Sequence, residues 1–403
     1  MNRLCIILFF FLSLTFFLFS YTQTDLSLLY SSHPVFVGIQ NQFWLLGADK
    51  QITTIVYIIL ATAFSVLYIW VITRKDIKLL PSRSNIWWLI PASLLLLALS
   101  NPVLSYDLFN YIFDAKLVVH YHLDPHVTSA FSFSGKDNWV RFMRNVYFPT
   151  TYGYMWTALS LVPFILGLGK FLSVFVFFKL YMLSSFTLLL GVMYWMKREL
   201  KPLLFFFVSP LVLFETLTSG HNDLWMMLLA FISLALLMPR KLEKKSVFWR
   251  LAISFACLYA SAEIKRSTVL LLPIWIMLGM GLLSQFISVP KYLLIAYKRI
   301  SAYWADLSAI LLFIPLLTPL SRQFHPWYLL WSFSFLPFIK NKLLRIILIT
   351  FSITSLYRYT PILLTGMYSV EIEAVQRTIT WTAVPLSLLT WFGLRTLRPK
   401  KHI

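Results

Sequence analysis

The chain has 403 residues, 59% of them hydrophobic and only 12% charged, with a formal net charge of +20. Soluble globular proteins carry about 25% charged residues, so the composition excludes an ordinary soluble protein and identifies a polytopic membrane protein. Its Lys and Arg residues fall in short clusters between apolar segments, as the positive-inside rule produces, which excludes nucleic acid as a partner and makes the lipid bilayer the surroundings.

In chain order, the first 25 residues pair a short basic head with a long aromatic apolar run and no small-residue cleavage site, which predicts an uncleaved signal anchor with its start inside. Runs near the ~20 residues that span a bilayer lie at 4–21, 52–72, 86–104, 171–196 and 377–394. Shorter or interrupted runs lie at 152–168, 202–214, 223–238, 247–262, 267–283, 302–318, 326–339 and 343–357. Only helices satisfy the backbone of such segments in lipid, so the fold class is all-α. Cys5 and Cys257 both sit in apolar segments, which argues against a disulfide framework or a cysteine metal site.

The clusters Lys75/Lys78/Arg83, Arg240 to Arg250, Lys291/Lys298/Arg299, Lys340/Lys342/Arg345 and Arg395 to Lys401 are expected on the cytoplasmic side. A start and an end on one side require an even number of crossings. Thirteen segments therefore give about 12 crossings, with either 152–168 or 202–214 failing to cross. The external side collects the loops 22–50, 105–151, 215–223, 263–266, 319–325 and 358–376, the largest following the third apolar segment. With no repeat and no long hydrophilic run, residues 1–403 read as one domain, in which 1–85 holds two N-terminal membrane segments and 105–151 the large external loop.

That loop opens on YDLFNYIFDAKLVVHYHLDPH, from Tyr106 to His126. A carboxylate costs about 2.5–3.5 kcal/mol at mid-membrane and less near the boundary, so acids at the exit of a membrane helix usually have a task. As a helix, Tyr106 to Val119 places Asp107, Asn110, Tyr111 and Asp114 on one face, and Leu108, Ile112, Phe113 and Leu117 on the other. Such a face is either the solvated side of an interfacial helix or a surface that holds an acceptor hydroxyl and removes its proton. Asp107 and Asp114 are the catalytic candidates; Asn110 and Tyr111 are binding candidates. Beyond them His120, His122, Asp124 and His126 alternate, as either a polar surface loop or ligands for a divalent metal.

Further on, Glu215 interrupts an apolar run, and His221, Asn222 and Asp223 open the next. Asn222 or Asp223 could serve as a helix N-cap, but capping explains neither Glu215 nor His221, and all four are candidates for a second polar wall. Lys265 and Arg266, in AEIKR, place two cations on the external side, either snorkelling beside Glu263 or holding a phosphate. SRQFHPWYLLW adds Arg322 and His325 as phosphate or sugar ligands, ahead of Trp327 and Tyr328, which suit an interfacial aromatic belt. Arg358 is a weaker candidate of the same kind. There is no Walker loop, dinucleotide-binding glycine motif or H-E-x-x-H. A sugar donor used here would have to arrive through the lipid.

YDLFNYIFDAK, YGYMW, SPLVLFE with GHND, EIKR and FHPWYLLW occur in this order from about residue 86 to 340. Together they resemble the GT-C glycosyltransferases, polytopic enzymes using polyprenyl-phosphate sugars, and most closely bacterial membrane mannosyltransferases of the α-1,6 type. The resemblance implies transfer of a sugar, mannose by preference, from a polyprenyl phosphate to a hydroxyl of an external glycan or lipid-linked acceptor, with inversion. It places the catalytic aspartate at Asp107. Asp124-Pro125-His126 and Ser209-Pro210 depart from the family's Asn-Pro-Tyr and Asn-Pro. The alternative class, a multi-pass transporter or lipid flippase, predicts internal repeats and discontinuous helices meeting at mid-membrane.

Overall fold

A computed structural model describes residues 3–23, 34–74, 86–238, 244–318 and 324–396, and every regular element among them is helical. The first helices are α1 (Arg3–Thr22), α2 (Pro34–Ala48), α3 (Lys50–Thr73), α4 (Leu89–Leu99), α5 (Asp107–Val119), α6 (Tyr154–Leu166) and α7 (Phe171–Lys197). Next come α8 (Leu200–Phe207), α9 (Pro210–Val212) with the π-helical turn Leu213–Thr218, α10 (Asp223–Leu236), α11 (Lys244–Ile264) and α12 (Leu272–Leu283). The chain continues with α13 (Lys291–Ala302), α14 (Trp304–Phe313), α15 (Leu329–Phe333), α16 (Lys342–Leu356), α17 (Thr360–Thr365), α18 (Val370–Trp381) and α19 (Ala383–Thr396).

Six stretches among the described residues are helical, long and apolar enough to cross a bilayer: Arg3–Thr22, Lys50–Thr73, Phe171–Lys197, Ser246–Ile264, Arg266–Leu283 and Lys342–Thr365. Two further pairs qualify if each counts as one span, Leu200–Phe207 with Pro210–Thr218, bent by 56°, and Lys291–Ala302 with Trp304–Leu316, bent by 76°. The first bend follows from Ser209-Pro210, because proline supplies no amide donor and drives the residue before it out of helical geometry. Helix α2, in a stretch read as loop, is an element that sequence patterning missed.

The apolar helices α4, α6 and α10 have 11, 13 and 14 residues. At 1.5 Å per residue they reach about 16–21 Å, short of the ~30 Å hydrocarbon core. Helix α4 stops at Ser100-Asn101-Pro102, so the apolar run 86–104 is only partly helical. The C-terminal side of α4 and the N-termini of α6 and α10 all lie at the site described below.

Helix α1 packs on α4, α7 on α10, α10 on α11, α5 on α6, and α16 on α19. Phe16 of α1 stacks on Phe214 of the π-turn with ring centroids 4.5 Å apart, and Phe64 of α3 meets the same ring edge-on. Buried tyrosine hydroxyls reach backbone acceptors, Tyr57 to the Leu356 carbonyl and Tyr68 to that of Phe205, each at 2.7 Å. Such pairing is what an apolar surrounding demands of a polar group. Exposed Leu, Ile, Val and Phe side chains cover the outer faces of α1, α3, α7 and α11, as a lipid-facing surface requires.

Candidate active site

A cavity of about 1460 Å³ opens between the loop after α4, the α5 N-terminus, the start of α6, the α11 C-terminus and the segments around residues 325–331 and 358–376. Asp107 is the first residue of α5 and lines this cavity with its side chain 23% exposed. The Tyr152 hydroxyl donates to Asp107 Oδ2 at 3.0 Å. Burial pushes the Asp107 carboxyl up, while nearby Lys265 and the Tyr152 bond push it back down. The net effect is upward, with burial the largest cause, and a carboxyl group at the wall of a cavity whose proton affinity is raised has the chemistry of a general base.

Two of the quoted motifs meet at Gly153. Its N–H bonds the Ile264 carbonyl at 3.3 Å, and a Cβ there would lie 1.7 Å from the Glu263 carbonyl oxygen, so only glycine lets the YGY turn dock on the EIKR segment. The docking puts Tyr152 beside Lys265, whose ammonium lies 5.3 Å from the tyrosine ring centroid. Lys265 bonds Asp223 Oδ2 at 2.6 Å, and the Trp331 indole N–H donates to Asp223 Oδ1. Lys265 therefore pairs with Asp223 rather than snorkelling toward Glu263, and both Lys265 and Arg266 line the cavity. Neither Asn222 nor Asp223 uses its side chain as a cap of α10.

Behind Asp107 the chain makes a turn that the sequence pattern did not announce. Leu213–Thr218 is wound as a π-helix, with the Ser219 N–H bonded to the Phe214 carbonyl five residues back, and the His221 N–H returns to the Glu215 carbonyl. Gly220, at φ +73°, makes that reversal possible. The carbonyls of Leu217 and Thr218 accept from Lys179 of α7, a fully buried lysine, at 2.8 and 2.5 Å. His221 is thereby folded back over Glu215, Nε2 to Oε2 3.4 Å, with its Nδ1 3.5 Å from Asp107 Oδ2. Glu215 Oε1 accepts from the Tyr359 hydroxyl at 2.8 Å.

Trp327 stacks on His221 at 4.0 Å and on His325 at 4.2 Å, its ring 4° from coplanar with that of His325. Trp327 and Tyr328, assigned from sequence to an interfacial belt, are thus cavity-lining residues. Burial, with Arg358 and Lys265 nearby, pushes the His325 imidazole down to about 3. It therefore lines the cavity as a neutral ring near pH 7, not as a cation.

The cavity accordingly collects Asp107, His126, Lys265, Arg266, His325 and Arg358 from the sequence candidates, with Asp223, His221 and Glu215 directly behind its wall. Asp114 is not among the lining residues. It is buried on α5 beside Thr150, and burial raises its carboxyl to about 7, with Thr150 offsetting part of the rise. Asn110 is outside the lining too, and Tyr111 packs edge-on beneath Tyr152 and Trp156. The amide side chain of Asn222 is buried. Arg322 lies outside the described residues.

The alternating set His120, His122, Asp124 and His126 does not converge. Asp124 accepts from the His126 N–H and the Tyr154 hydroxyl, and His126 stacks on Tyr154 and meets Thr157. No three His, Cys, Asp or Glu side chains among the described residues are grouped as metal ligands.

Sequence reading assigned no role to Tyr152, Trp331 or Tyr359, and did not single out Lys179. A lysine in the middle of a 27-residue apolar helix was a legible signal for the last. Tyr152 and Trp331 stand in YGYMW and FHPWYLLW, where the motif and not the single residue was marked, and nothing set Tyr359 apart among 20 tyrosines.

A family model described as alpha-(1->6)-mannopyranosyltransferase, N-terminal domain, matches residues 16–281, well over half of the chain. No curated protein and no solved structure matches it.

Proposed function

The chain belongs to the alpha-(1->6)-mannopyranosyltransferase family and is a membrane glycosyltransferase, and from that premise we propose that it moves mannose from a polyprenyl-phosphate donor to a hydroxyl of an external glycan or lipid-linked acceptor. In this reading the whole chain is one GT-C-like catalytic domain with about twelve crossings, and the cavity faces the non-cytoplasmic side of the cell membrane. The two bent helix pairs are a feature that transporters also use; family membership assigns the chain to the enzymes instead.

The observation that supports the reading is the presence of Asp107, Lys265 and Arg266 on the wall of one cavity. Asp107 takes the acceptor proton as the acceptor oxygen attacks the anomeric carbon. The bond to the phosphate oxygen breaks on the opposite face, which inverts the centre, and the electron pair leaves with the polyprenyl phosphate. Lys265 and Arg266 stabilise the charge that develops there. Asp223 holds Lys265 in place, and His325 and Tyr328 bind from the neighbouring wall. Asp114, away from the cavity, supports helix α5 in this scheme and takes no proton.

The test is incubation of purified, lipid-reconstituted protein with polyprenyl-phosphate mannose and, separately, the glucose analogue, followed by mass analysis of co-purifying acceptor lipid. Mannose transfer, reduced about 10²–10⁴-fold by Asp107→Asn, is expected from loss of a general base. Normal transfer by Asp107→Asn removes Asp107 from the reaction, and no transfer from either donor removes the donor class.

A further inference from the structure

Glu215, His221 and Asp107 lie in a line through the wall of the cavity. The side chains of Glu215 and His221 are fully buried, and Asp107 alone of the three reaches the cavity. At 3.4 and 3.5 Å the two contacts of the imidazole are longer than ordinary hydrogen bonds. Contacts that belong to a catalytic array are often this long without substrate and tighten with it. Glu215 Oε2 and both ring nitrogens of His221 are buried without a hydrogen-bond partner, so these two contacts are the ones open to them.

A neutral imidazole has one N–H and one lone pair, so it cannot donate to two carboxylates. Two ionised carboxylates flanking a buried ring would leave one facing a lone pair, an expensive arrangement away from water. With the ring neutral and Asp107 ionised, as its role as base requires, one proton pattern satisfies every atom. Tyr359 donates to Glu215 Oε1, a protonated Glu215 donates from Oε2 to His221 Nε2, and His221 Nδ1–H donates to Asp107 Oδ2. Tyr152 donates to the same Oδ2. All donors then run one way, and the line carries a single negative charge on Asp107, the member that reaches the cavity.

We infer that Glu215 is a neutral carboxylic acid that fixes the Nδ1–H tautomer of His221, and that the two act as positioning residues keeping Asp107 ionised and aimed into the cavity. The inference rests on Asp107 as the base of the proposed transfer and adds roles for two residues that touch neither sugar. Burial, with Lys265 and His325 nearby, holds His221 well below the usual imidazole range, in keeping with a neutral ring.

The groups facing this line are Lys265, Asp223, Tyr152, Tyr111 and Ser105 around Asp107, Lys265 and His325 around His221, and Tyr359, Tyr57 and Asp223 around Glu215. Variants that leave these groups in place report on the line itself. His221→Phe keeps the ring stacked on Trp327 but removes the donor, and Glu215→Leu removes the group that sets the tautomer. In His221→Phe Asp107 loses a hydrogen bond to its charged form, and in Glu215→Leu that bond loses the partner that holds the ring in its donating tautomer, so in both its proton affinity rises. The acid limb of the pH profile of kcat is expected to move up by about half a unit or more, with kcat lowered about 10-fold and KM changed less than about 3-fold. Glu215→Gln presents an amide N–H to His221 and an amide oxygen to Tyr359, as the protonated acid does, and should restore the limb and most of kcat. His221→Gln and thermal melting in detergent cover the case in which His221→Phe does not fold.

A second readout needs no turnover. Infrared difference spectra of the unsubstituted protein against Glu215→Gln should show loss of a carbonyl band from a protonated, non-exchanging carboxyl group. Absence of that band, or an acid limb unmoved in His221→Phe and Glu215→Leu while Asp107→Asn abolishes transfer, overturns the inference alone. Full activity of Asp107→Asn overturns the base assignment beneath it.

Discussion

Lys265 Nζ and Asp223 Oδ2 lie 2.6 Å apart, joining the end of α11 to the start of α10 with the carboxylate fully buried and the lysine stem 13% exposed. Removing one member of a buried pair leaves the other uncompensated, at about 3–5 kcal/mol. Lys265→Met and Asp223→Leu are therefore each expected to lower the melting temperature and abolish transfer. The double variant should recover most of the stability and none of the activity. Recovered activity would remove the cation from the reaction.

Tyr152→Phe tests how Asp107 stays ionised. The Tyr152 bond favours the charged carboxylate and opposes burial, which favours the neutral form. Without the bond Asp107 holds its proton to higher pH, so the acid limb of the rate profile should shift upward. The plateau at alkaline pH should fall by less than about 10-fold. A limb that stays put or moves down contradicts this electrostatic picture.

Gly153→Ala forces a methyl group into the Glu263 carbonyl. Overpacking of this kind costs about 1–3 kcal/mol, and here it separates Tyr152 from Lys265. A raised KM for the polyprenyl-phosphate donor, together with a lower melting temperature, is the expected result. An unchanged KM would mean that the two segments can part without disturbing the donor.

Lys179→Met removes the donor to the Leu217 and Thr218 carbonyls. Leaving buried acceptors unpaired costs about 1–3 kcal/mol each, whereas relief from burying an ammonium group works in the opposite sense. The melting temperature should therefore change little. The turn bearing Glu215 is released, so transfer should fall about 10-fold. Wild-type activity would show that the turn holds its shape without the lysine.

The helical class and the amphipathic reading of α5 were legible because carboxylates are scarce in an apolar chain and 3.6-residue spacing groups them. Asp107 stood out for that reason, Lys265 because it is a cation on the side expected to be external, and Asp223 because it opens an apolar run together with His221 and Asn222. Periodicity overstated α5, however, since Asp107 and Asp114 share a helix face yet only Asp107 meets the cavity, Asp114 being buried beside Thr150. It also hid α2, a helix in a stretch read as loop, and it could not show that Trp327 would be drawn from the membrane boundary to lie between two histidines. Tyr152 and Tyr359 come within reach of Asp107 and Glu215 through contacts 45 and 144 residues apart in sequence, which local patterning does not contain.

The wide turn at Leu213–Thr218 has a bearing on how this site tolerates changes in chain length. A π-turn holds one residue more than an α-helical turn, and one residue corresponds to about 100° of rotation around the axis. Deleting a single residue there would let the segment relax to an ordinary helix, tightening the chain without breaking it. It would also turn Glu215 away from His221, so that the phase of the buried wall behind the cavity is set by one surplus residue in an otherwise apolar segment.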